Sequence, residues 1–70
     1  MTRSTYLDME KVQNIAYTRF WTLAELARQA RISNATIFAL KSKRRKASMK
    51  TVLNIANALG VEPSDIVSKD

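Results

Sequence analysis

The chain has no cysteine, no histidine, one glycine (Gly60) and one proline (Pro63) in 70 residues. Without cysteine there is no disulfide framework, no thiolate zinc site and no thiol redox chemistry. Without histidine the commonest general base and metal ligand is missing. A single glycine cannot build a phosphate-cradling loop. No stretch approaches the roughly 18 apolar residues of a membrane span. The N-terminus has no apolar secretory segment. The carboxylates are Asp8, Glu10, Glu25, Glu62, Asp65 and Asp70, and none forms an evident pair on an apolar face. The expectation is one cytoplasmic domain spanning residues 1–70. It is not an enzyme, has no cofactor, metal or small-molecule ligand, and has no membrane partner. A chain this short buries only about 60% of its unfolded surface, so one modest core is the limit.

Acid is also missing locally. From Leu26 to Val61 there is no Asp or Glu, while Arg28, Arg31, Lys41, Lys43, Arg44, Arg45, Lys46 and Lys50 fall inside that span. The block carries +8 and the remainder −2, for a net +6. A face that serves only solubility mixes both signs. A one-sign block concentrates positive potential and suits a polyanion.

The rest of the pattern is helical. Met1 to Thr5 and Lys69–Asp70 read as loose ends, with Ser4 or Thr5 as cap of a first helix and Asp8 in its first turn. Leu7, Val12, Ile15 and Ala16 form its inward stripe, bordered by Tyr6 and Met9. Phe20 and Trp21 are expected to anchor it against the second helix. Ser48 caps a fourth helix whose inward face is Met49, Val52, Leu53, Ala56 and Leu59. Gly60 suits the left-handed residue that ends it. Pro63 suits the start of a short fifth helix containing Ile66 and Val67. No strand signal appears. The expected fold class is all-α, a compact five-helix domain.

The centre of the chain is Thr22 to Ser42, TLAELARQARISNATIFALKS. Thr22 and Glu25 have capping-box spacing, and Trp21 and Leu26 have the spacing of a hydrophobic staple. Leu23, Leu26, Ala27 and Ala30 share one face. Ser33 caps the next helix, and Ile32 and Ile37 repeat the staple. Ile37 and Leu40 point inward, leaving Asn34, Ala35, Phe38, Ala39 and Ser42 on the other side. Two short helices this close together have helix-turn-helix spacing.

ELARQARIS and the later SMKTVLNIANALGVEPSDI together resemble the Cro and phage-repressor type helix-turn-helix family, often called the XRE family. The resemblance runs from about residue 7 to about residue 67, with two motifs in the right order. It implies a phage-repressor-like DNA-binding fold. It also implies a transcriptional regulator, most simply a repressor, whose partner is a double-stranded DNA operator. The family usually has Gly where this chain has Arg31, and Gly after the third helix, where Ser42 and Lys43 stand here. It often has Arg and Gln where Ala16 and Leu23 stand.

A helix presented beyond a tight turn fits the major groove, and residues near its N-terminus reach base edges. Asn34 either pairs with adenine or serves as a second capping or surface residue. Ala35 and Ala39 either let the helix approach thymine methyls or are plain helix formers. Phe38 either presses on a methyl or sugar, or packs against a neighbouring helix or partner subunit. Thr22 and Ser33 place helix N-termini where a phosphate is favoured. Lys41, Ser42, Lys43, Arg44 and Arg45 follow as further phosphate contacts, with Lys46 closing the run. One such motif reads few base pairs, so a homodimer on two half-sites is expected. Val61, Ile66 and Val67 form its candidate patch. The alternative is a protein-interaction module, an antitoxin or antirepressor, with DNA binding secondary. RNA binding lacks the interleaved exposed aromatics that stack bases.

Overall fold

The computed structural model describes residues Ser4 to Ser68. The elements run β1 (Ser4–Thr5), α1 (Met9–Thr18), α2 (Leu23–Ala30), α3 (Asn34–Lys41), β2 (Ala47–Ser48), α4 (Met49–Leu59) and a 3₁₀ turn (Pro63–Asp65). Among the described residues there are four α-helices, not five. Pro63 brings no N–H, and the Ile66 N–H closes on Pro63 O at 3.2 Å, a tight three-residue turn rather than a helical one. Ile66 O is meanwhile occupied by the Asp8 N–H at 2.8 Å, and Leu7 pairs with Val67 in an antiparallel bridge. The end expected to coil is thus drawn into a ladder.

The beginning is drawn in as well. Ser4 pairs with Ser48 and Thr5 with Ala47, so neither Ser4 nor Thr5 caps α1. Asp8 is the cap, accepting from the Lys11 N–H at 3.2 Å. The remaining expected loose ends, Met1–Arg3 and Lys69–Asp70, lie outside the described residues.

The core gathers Leu7, Val12 and Ala16 with Leu23, Leu26, Ala27 and Ala30, closed by Ile37, Leu40, Val52, Ile55, Ala56, Leu59 and Ile66. Helix α2 lies at its centre, packed on both α3 and α4. Two expected core residues of α4 are instead half-exposed, Met49 at 48% and Leu53 at 42%. Helix α4 is apolar around more than half its circumference, and its inward stripe is Val52, Ile55, Ala56 and Leu59, one step round from the expected one. Phe20 does not anchor α1 either: it is 96% exposed, and only Trp21 packs on the core. No described helix is long and apolar enough to cross a membrane.

All four helices end alike, in a residue of positive φ: Phe20 (60°), Arg31 (61°), Lys43 (59°) and Gly60 (71°). The next N–H then reaches the carbonyl five residues back. Trp21 bonds to Ala16 (3.0 Å), Ile32 to Ala27 (2.9 Å), Arg44 to Ala39 (3.0 Å) and Val61 to Ala56 (3.1 Å). This is the Schellman pattern, in which glycine is the unstrained choice. Three of the four positions carry a Cβ, at about 1 kcal/mol or somewhat more each. Arg31→Gly and Lys43→Gly are each expected to stabilise the domain by roughly 0.5–1 kcal/mol. The two effects should add nearly fully, because the sites end different helices. Thermal melts check this; a lower Tm for either variant would mean that its long side chain contributes packing.

Candidate nucleic-acid interface

The two helices of the motif are set by local chemistry. Thr22 Oγ1 accepts from the Glu25 N–H at 3.1 Å, and Ser33 Oγ accepts from the Thr36 N–H at 3.1 Å. Only half of the expected capping box forms. The Glu25 carboxylate turns away from Thr22 and accepts from Gln29 Nε2 at 2.8 Å and Arg28 Nη2 at 3.1 Å. Hydrogen bonds from Gln29, and then from Arg28, hold the Glu25 carboxyl below its usual range, so it stays ionised beside its partners. The left-handed Arg31 makes the turn, and Ile32 and Ile37 close beneath it against the core.

Helix α3 buries Ile37 and Leu40 and turns its other side outward. Asn34 and Ala35 are exposed, Phe38 is 45% exposed, and Ala39 is half-buried. Ser33 is the cap, so Asn34 is the first helical residue, and the capping alternative for it falls away. Phe38 has one side on the domain and one in solvent. Asn34, Ala35 and Phe38 therefore share one accessible face.

The basic run does not act as one block. Lys41 is exposed in the last turn of α3, and Lys43 takes the left-handed position after it. Both border a shallow groove that also includes Asp8, the cap of α1, and Glu10 in its first turn. Ser42 donates to Ala39 O at 3.2 Å and accepts from Arg44 Nε at 2.9 Å, which fixes the guanidinium next to the helix end. Its hydroxyl thus already holds a neighbour. Arg45 is exposed, whereas the Lys46 ammonium sits 5.4 Å from the Tyr6 ring centre, a cation–π distance.

Sequence reasoning counted Arg28 in the basic block without giving it a place in the site, and passed over Arg19. Arg28 lines a hollow with Thr22, Glu25, Ile32 and Asn34, between the starts of the two motif helices. Its signal was the Glu25–Arg28 spacing of three along a helix. Arg19 Nη1 donates to Ile15 O at 3.3 Å and Nη2 to Leu59 O, bracing α1 against the carbonyl end of α4. That role depends on a contact 40 residues away and leaves no local pattern.

The expected dimer patch changes. Ile66 is fully buried and offers no surface, and Val61 is half-buried. Val67 lines a groove of about 450 Å³ together with Thr5, Met49, Val52 and Pro63 among others, with no charged residue in its wall.

An α2 seated on the core, a left-handed turn and an outward-facing α3 followed by exposed cations define the class: a helix-turn-helix domain. The family model described as Cro/C1-type HTH DNA-binding domain matches residues 11–69. The chain belongs to that family. No curated protein and no solved structure gives a match.

Proposed function

We propose that the domain is a sequence-specific binder of double-stranded DNA that lays α3 in the major groove and represses transcription by occluding an operator. The observation that carries this reading is the outward face of α3. It joins one polar reader (Asn34), one small residue (Ala35) and one apolar surface (Phe38), with exposed cations directly after it. In this reading Asn34 pairs with a base edge, while Ala35, Phe38 and Ala39 supply close apolar contact. The backbone N–H groups at Thr22 and Ser33 meet phosphates. Lys41, Lys43, Arg44 and Arg45 neutralise the strand beyond the helix, with Ser42 holding Arg44 in place. Two copies bind two half-sites.

The uncharged groove lined by Met49 and Val67 suits the contact between those copies, for two reasons. Each copy carries a net +6, so they approach most easily where charge is absent. None of the groove's lining residues belongs to α2 or α3, so pairing there leaves the reading face free.

The test is selection of binding sites from random DNA with stoichiometry measured on the selected duplex, followed by two variants. Asn34→Ala should remove about 1–3 kcal/mol of discrimination at one base pair and leave non-specific binding almost unchanged. Arg44→Ala should weaken all sequences alike and reduce the salt slope by about one unit per site. Even losses for Asn34→Ala across a panel of single-base variants would reduce Asn34 to a backbone contact. Wild-type behaviour of both variants on every duplex would transfer this face to a protein partner.

A further inference from the structure

Phe20 is 96% exposed and also holds the left-handed backbone that ends α1. Both facts run against stability. A Cβ-bearing residue is strained at this φ, and glycine would relieve it. The ring itself recovers nothing from the core. Tyr17, one turn earlier, is 60% exposed on the same corner. A large side chain that strains its own turn without packing makes its gain outside the fold, and strain of this kind gathers at binding sites.

We infer that Phe20 packs on the sugar–phosphate backbone of the bound duplex, next to the phosphate at the start of α2, and so lengthens the footprint beyond the motif itself. This rests on the duplex reading above. Two peptide units separate Phe20 from Thr22, which holds their Cα atoms within about 7 Å. A strand that meets the first N–H groups of α2 therefore passes the ring within one or two nucleotides. Charge favours the same occupant. No acidic residue occurs between Glu10 and Glu25, and the Glu25 carboxylate is itself engaged by Gln29 and Arg28. The contact is apolar ring against deoxyribose, and the exposed Tyr17 carries a hydroxyl able to donate to a phosphate. It carries no sequence information.

The experiment uses the full chain and two probes, the selected operator and an unrelated mixed-sequence duplex of equal length. Phe20→Gly is expected to bind both about three- to tenfold more weakly, with an unchanged salt slope, because a neutral ring displaces no counterion. The same variant should melt about 2–8 °C higher, because the strain is gone. Weaker binding by a more stable protein is an outcome that a purely structural role does not produce. Phe20→Asn, which tolerates the left-handed region, should behave like the glycine variant, and Phe20→Tyr should bind like wild type. If Phe20→Gly binds both duplexes as wild type does, the inference fails and the duplex reading stands. A lower melting temperature would place the ring in internal packing, and a changed stoichiometry would place it between two copies; either overturns the inference. Failure of the wild type itself to bind any duplex overturns the duplex reading first.

Discussion

Truncation of Leu26 to alanine is expected to remove much of the domain's stability. Leu26 is 0% exposed at the middle of α2, the helix packed on both α3 and α4. Removing a buried leucine costs the lost transfer energy plus the cavity left behind, about 2–5 kcal/mol. Folded domains hold roughly 0.05–0.15 kcal/mol per residue, which for this length is on the order of 4–10 kcal/mol in total. The loss is therefore a large fraction of the whole. Each kcal/mol moves the midpoint of a domain this size by about 4–8 °C, so the melt should drop by about 10 °C or more. DNA binding should fall with it, because α3 is positioned only by its seat on α2 and the core. Asn14→Ala, at an exposed position of α1, is the control and should stay within about 0.5 kcal/mol of wild type. A Leu26→Ala protein that melts within about 2 °C of wild type would remove α2 from the centre of the fold.

What the sequence made legible follows the range of the interactions. The motif helices could be read because their determinants are local. Thr22 and Ser33 cap within three residues, and Leu23, Leu26, Ala27, Ala30, Ile37 and Leu40 keep helical spacing and are all buried. The left-handed turn at Arg31 followed from the place where the resembling family has glycine, and the structure has it there at φ 61°. The departures share the opposite cause. Ser4, Thr5, Leu7, Ile66 and Val67 are organised by partners more than 40 residues away, in strands too short to show a period of two. Met49 and Leu53 were misplaced because α4 offers two adjacent apolar stripes. Which stripe faces inward is decided by the other helices. Phe20 was misplaced because aromatic character usually means burial, whereas here the backbone turns at that residue. In the candidate site, residue types could be read but the division of labour could not. Nothing in KSKRRK tells that Ser42 holds Arg44 or that Lys46 lies against Tyr6.

Duplex affinity should fall about 10²- to 10⁴-fold between 50 and 200 mM salt. The size follows from the exposed cations beyond α3. Lys41, Lys43, Arg44 and Arg45 are exposed, whereas Lys46 is drawn to Tyr6 and Arg28 is paired with Glu25 at 3.1 Å. Two to four of the exposed cations per copy, on two half-sites, give about four to eight neutralised phosphates. Each contributes about 0.9 to the slope of log affinity against log salt, so the slope should lie between about −3.6 and −7.2. A fourfold rise in salt then produces the stated loss. The operator and an unrelated duplex should show similar slopes and differ mainly in intercept, because the base contacts proposed for Asn34, Ala35 and Phe38 would release few ions. The measurement is a titration of both duplexes at several salt concentrations with the protein well above its pairing threshold. A slope near −2 would mean that one copy binds, or that Lys41 and Lys43 stay with Asp8 and Glu10 across their shared groove. In that second case Asp8→Asn together with Glu10→Gln should steepen the slope, because both lysines are then released to the phosphates. An affinity that does not change with salt would remove the basic run from the interface altogether.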